Sequence, residues 1–202
     1  AMLVVVGALL MRGVDARYLI ATGLATLAVG CFWTSRLNLE VSPWQVVWPR
    51  VVVILGLSMI FAPLNVAAFI RIPPAMRGAA VGLLALLRNE GGSVGTSIAQ
   101  TVHERRLQFH TLRLNEGLDT LNPAVHDLLG RGEAFYAQHS GDVVSAGQMT
   151  LQSIANMRGR QASALAYFDV FWVSAVLAAG LVLLVLLMRR AVAEKGSHAA
   201  AE

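Results

Sequence analysis

Three stretches of this chain, Tyr18–Ser35, Val51–Ile70 and Ala164–Met188, are apolar enough and long enough to cross a hydrocarbon layer of roughly 30 Å as α-helices. A fourth, Gly78–Val102, has the same length and apolar ends but carries a polar centre, "LLRNEGGSVGTSIAQ". The fold class expected is therefore all-α, a polytopic transmembrane helix bundle. Composition agrees, with 56% hydrophobic residues, 14% charged residues and a mean hydropathy of +0.60. A soluble domain normally carries about a quarter charged residues.

The apolar stretch Ala1–Met11 is about half a span and has neither a basic leader nor a cleavage site. It reads as the end of a transmembrane helix whose start is missing; a true start at Met2 would instead make it interfacial. The expected order is a helix end over 1–11, a cytoplasmic loop over 12–17, a span over 18–35 and an outer loop over 36–45. A Pro-kinked span over 46–70, a cytoplasmic loop over 71–77 and a span over 78–102 follow. A long, partly helical outer loop over 103–163, a last span over 164–188 and a cytoplasmic tail over 189–202 complete it. This orientation gathers Arg12, Arg17, Arg71, Arg77, Arg189, Arg190 and Lys195 on the inner side, as short loops require, while a loop of about 60 residues is exempt from that bias. Trp33, Trp44, Trp48 and Trp172 fall at the outer ends of spans, where an aromatic belt forms. Within the long loop, Asn122 is expected to cap a helix that starts at Pro123 and leaves at Gly130. A second helix is expected over 142–157, with Gly159 marking a bend into the last span.

On a helix Arg88 and Glu90 lie about 200° apart, so each needs its own partner. Arg88 and Asn89 either face a water-filled interior path or, for Arg88, anchor the helix to carbonyls of a neighbouring span. Glu90 either meets another span or loses its charge through desolvation. Gly78, Gly82, Ala85, Asn89, Gly92, Thr96 and Ala99 form a stripe of small residues suited to close helix contact, with Gly95 at its edge. Pro63 removes a backbone donor and frees a carbonyl in mid-span, and Asn65 is placed to satisfy it. Asp169 reads either as a helix-terminus acid or as a proton carrier.

No enzyme motif is present. The five histidines form no HxxxH pair, no glycine-rich stretch follows a strand, and Cys31 has no partner for a disulfide or a cysteine-based zinc site. The 15 arginines and single lysine are scattered and not interleaved with aromatics, which argues against nucleic acid as a partner.

These residues resemble a known family. "GALLMRGVDARYLIATG" is similar to the inner-loop signature of the EmrB/QacA-type, fourteen-span drug:proton antiporters of the major facilitator superfamily, through Gly7, Leu9, Arg12, Asp15 and Arg17. Met11 stands where an acid is usual. "PRVVVILGLSMIFAPLNVAA" resembles the family's glycine-rich helix through Gly56 and Pro63. "IPPAMRGAAVGLLALLRNEGGSVGTSIAQTVHERR" matches in Pro74, Arg77, Ala80, Arg88, Gly92, Gly95, Thr96 and Ser97, with Glu90 a departure.

The resemblance implies the C-terminal portion of a proton-coupled multidrug efflux permease of the bacterial inner membrane, exporting amphipathic or cationic small molecules by alternating access. It implies no cofactor beyond the proton gradient. The implied partners are the missing N-terminal half, the bilayer, small-molecule drugs, and a periplasmic membrane-fusion protein with an outer-membrane channel. Arg88, Asn89, Glu90 and Asn65 become candidates for the transport path or coupling, and Gly7, Arg12, Asp15 and Arg17 for the cytoplasmic loop. Gly56, Pro63, Gly78, Gly82, Gly92 and Gly95 become candidates for packing or kinking. The alternative is a small membrane assembly or binding subunit without transport activity.

Overall fold

The computed structural model describes residues 15–38, 42–69, 72–118 and 122–187. Among these residues every regular element is a helix: α1 (Ala16–Ser35), α2 (Pro43–Phe69), a 3-10 turn (Pro74–Met76), α3 (Arg77–Glu116), α4 (Pro123–Ser140) and α5 (Val143–Leu186). Gly7, Arg12 and the cytoplasmic tail lie outside the described residues. Three helices, α1, α2 and α5, are long and apolar enough to cross a membrane. α3 has the length, but Arg88, Asn89 and Glu90 interrupt its apolar run and a charged continuation follows from His103 onward.

The chain divides into two compact units, Ala1–Ser97 with Val170–Glu202, and Ile98–Asp169. In the first, α1 and α2 pack antiparallel. Asp15 caps α1, its Oδ1 accepting from the Arg17 amide at 3.2 Å. α2 opens with Pro43 behind Ser42, whose amide donates to Gln45 Oε1 at 2.9 Å, half of a capping box. Ala16 and Leu19 are buried against Met59, Ala62, Val66 and Ala67.

In the second unit, Asn122 Oδ1 accepts from the Ala124 amide at 3.1 Å and Pro123 takes the first helical position, as the sequence suggests. α4 does not leave at Gly130. It continues to Ser140 and ends at Gly141, whose φ of 72° is the left-handed conformation that closes a helix. A single mid-helix glycine costs only about 1 kcal/mol, which the helix formers after it offset. Gly132 is needed for a different reason: a Cβ there would collide with Thr150, which is 2% exposed on α5. Ala146, Ala162 and Ala166 are fully buried on α5.

The start of α5 is set by Asp142, which accepts from the Val144 and Ser145 amides at 3.2 Å and from the Ser145 hydroxyl. The Ser145 hydroxyl, followed by the two amides, holds the Asp142 carboxyl below its ordinary value. α5 runs without interruption through Gly159, from Val143 to Leu186. Most of 103–163, read as a loop with helices, is helix contributed by α3, α4 and α5.

Candidate functional site

Three places bring polar or close-packed groups together. The first is the α1–α2 contact. A methyl group added at Gly56 would lie 2.6 Å from the Leu27 nitrogen and 2.8 Å from the Gly23 carbonyl oxygen. One added at Gly30 would lie 2.9 Å from the Val53 nitrogen. The two backbones therefore touch, and only residues without a side chain fit between them. Gly56 and Pro63, both buried, sit on this surface. Gly23 and Gly30 complete it, and the sequence does not single them out because glycines scattered in an apolar run do not say which helix they face. Asn65 donates to the Phe61 carbonyl at 2.9 Å, its own previous turn. It does not reach the Met59 carbonyl, the one that Pro63 deprives of its helical donor.

At one end of this unit Arg17 joins α1 to the end of α5. Its Nη1 donates to the Leu186 carbonyl at 3.1 Å, its Nη2 donates to the Tyr18 hydroxyl at 3.0 Å, and its guanidinium lies 4.9 Å from the Tyr18 ring centroid. A cation on the open carbonyls of a helix C-terminus is favoured by both hydrogen bonding and the helix dipole. Asp15 and Arg17 of the loop signature thus act here as a cap on one helix and a clasp on another.

The second place is the polar centre of α3. Arg88 sets its guanidinium 4.7 Å from the Phe61 ring centroid of α2, a cation–π contact. Neither Arg88 nor Glu90 has an ion-pair partner among the described residues. Arg88, Asn89 and Glu90 are exposed, and α3 buries no residue among those described. A Cβ at Gly78, Gly82, Gly91, Gly92 or Gly95 would meet nothing within 4 Å. Ser93 and Thr96 turn their hydroxyls back onto the Glu90, Gly92 and Ser93 carbonyls. The small-residue stripe is left open from Gly78 to Thr96.

The third lies in the second unit, where the sequence suggests loop. His110 Nε2 and Asp169 Oδ2 are 2.7 Å apart, and Arg106 Nε reaches the same oxygen at 3.2 Å. His110 is 18% exposed and Asp169 27%. One turn away His103 stacks on Tyr167 with ring centroids 4.3 Å apart, its buried Nδ1 without a partner among the described residues. His103, Arg106 and His110 fall three and four residues apart, on one helix face. That signal is present in the sequence, but it counts only if the helix continues past Val102. No group of histidine, cysteine or carboxylate residues among those described could hold a metal ion.

The chain is 26% identical over 164 residues to the fatty acid resistance protein FarB of Neisseria gonorrhoeae, covering 81% of this chain and 31% of FarB. It is 28% identical over 128 residues to the multidrug export protein EmrB of Escherichia coli (strain K12), covering 63% of this chain and 23% of EmrB. It is 36% identical over 94 residues to the cephamycin export protein CmcT of Amycolatopsis lactamdurans, covering 46% of this chain and 19% of CmcT. It thus spans about a third or less of the length of these relatives. No family model matches, and no solved structure matches. Most of the chain is a low-identity relative of drug exporters of the EmrB type. Its three helices of membrane-crossing length and these relatives support a membrane protein.

Proposed function

We propose that this chain forms one part of a proton-coupled efflux permease of the bacterial inner membrane, which exports amphipathic or cationic small molecules by alternating access. The observation that carries the reading is similarity to a multidrug export protein of the EmrB type across 85% of the chain, together with helices long and apolar enough to span. The relatives are named for fatty acids, multiple drugs and a cephamycin, and the first of these joins an apolar tail to a charged group. In this reading the missing N-terminal half covers the open stripe of Gly78, Gly82, Gly92 and Gly95. A periplasmic membrane-fusion protein and an outer-membrane channel extend the export path. Arg88 serves coupling, held by Phe61 until a counter-charge from the rest of the transporter meets it. Asn89, Glu90 and Asn65 are the other candidate polar groups of the path.

A second reading, an assembly subunit without transport, is favoured by the same open face of α3. Drug efflux from inside-out vesicles separates the two. The complete polypeptide should export on an imposed proton gradient and stop when the gradient is collapsed, whereas the 202 residues alone should export nothing. Arg88→Ala in the complete polypeptide should lower the rate at least about tenfold, and Arg88→Lys should restore little, because a compact ammonium does not reproduce the planar guanidinium. Export at wild-type rate by Arg88→Ala, with normal membrane levels, would remove the coupling role. Export by the 202 residues alone would overturn the division of labour.

A further inference from the structure

The second unit contains an open-sided apolar groove of about 320 Å³ that none of the candidate roles above uses. Leu114 and Leu118, Leu128 of α4, and Ile154 and Met157 of α5 supply its apolar walls. Arg158 enters it from α5, with Gln161 one turn further on. Among the described residues the guanidinium is held at one corner: Nη1 donates to Asn115 Oδ1 at 2.6 Å. Its Nε–H is buried and donates to nothing among the described residues. No carboxylate among them pairs with Arg158.

A guanidinium is always charged and carries five donors in a fixed plane, so a neutral amide oxygen on one nitrogen leaves both its charge and its Nε donor unsatisfied. A guanidinium that pairs with no carboxylate among the described residues favours an ionised acceptor, above all a planar carboxylate, which matches its fork geometry. The walls beyond it are hydrocarbon, which a charged polar ligand without an apolar tail would leave bare. The volume is at the small end of ligand pockets. We infer that this groove binds a small amphiphilic monoanion, its carboxylate on the Arg158 guanidinium and its hydrocarbon tail along Leu118, Leu128 and Ile154. The site is separate from Arg88 and does not depend on the transport reading.

The test uses the full chain in a nonionic maltoside and three ten-carbon probes of equal tail length: decanoate, decanol and decyltrimethylammonium. Binding is followed by calorimetry. Decanoate should saturate at one site per chain, and the alcohol and the cation should neither saturate nor compete. Arg158→Met keeps the apolar stem and removes the charge, and it should weaken decanoate at least about tenfold, with Arg158→Lys intermediate. Ile154→Trp retains Arg158 and fills the groove, so it should abolish binding even where Arg158→Met disturbs folding. Equal binding of all three probes would show adsorption to apolar surface and overturn the site. Decanoate binding unchanged in Arg158→Met or in Ile154→Trp would overturn it as well.

Discussion

His110, Arg106 and Asp169 show how far single residues can be read in advance. Asp169 stands out in the sequence as an acid near the start of an apolar run, but its two partners lie some sixty residues earlier and have no local signature. The opposite holds for Asn122 and Pro123, whose roles are fixed by the next three residues and are legible. Arg88 lies between these cases. That it needs a partner follows from its place in an apolar stretch. That the partner is the Phe61 ring does not, because cation–π pairing depends on which face of another helix comes near. At Asp169 the carboxylate accepts from two basic side chains, so Asp169→Asn should lower the stability of the purified chain by about 1–2 kcal/mol. Arg106 is 47% exposed and contributes the smaller share. Thermal unfolding in detergent reads this, and His110→Ala combined with Asp169→Asn should cost less than the sum of the two. An unchanged melting temperature in Asp169→Asn would show that the cluster carries no energy.

At the scale of helices, glycine has two opposite meanings in this chain. Gly23, Gly30 and Gly56 let α1 and α2 meet backbone to backbone, while the glycines of α3 face open space. The regular small-residue stripe of α3 is the easier pattern to read, because its steps of three and four repeat along the helix. Its counterpart on α1 and α2 is shared between two helices and needs their register to be seen. The end of α3 escapes the sequence for a related reason. An apolar run marks where lipid would end, and hydrogen bonding rather than hydropathy decides where a helix ends. Gly56→Leu should therefore destabilise the isolated chain by about 2 kcal/mol or more, since backbone cannot move aside for four carbons. Gly95→Leu, which meets nothing, should leave it unchanged or raise its helix stability by up to about 1 kcal/mol. In the proposed complete transporter the order should differ, with Gly95→Leu blocking export by holding a covering helix away. Paired melting and efflux measurements check both outcomes, and a Gly95→Leu variant that exports normally would leave the stripe without a mechanistic role.

For the whole molecule, the proposed orientation puts the segment 103–163 and the C-terminal tail on opposite sides of the membrane. Cysteines introduced at Ser140 and Ser197, after replacement of Cys31, should be labelled from opposite faces by an impermeant maleimide; labelling of both from one face would overturn this arrangement. Arg17 donating to the Leu186 carbonyl fits this arrangement, since it brings the entry of α1 and the exit of α5 to the same end of the first unit. The contact of α1 with α2 also bears on biosynthesis. Two helices joined by a short connection, whose closest contact uses only Gly23, Gly30, Gly56 and their immediate neighbours, require nothing made later in the chain to find their register. The pair can assemble as soon as its second helix has left the ribosome, and it can then wait in the membrane as a finished hairpin while the open face of α3 is still being synthesised.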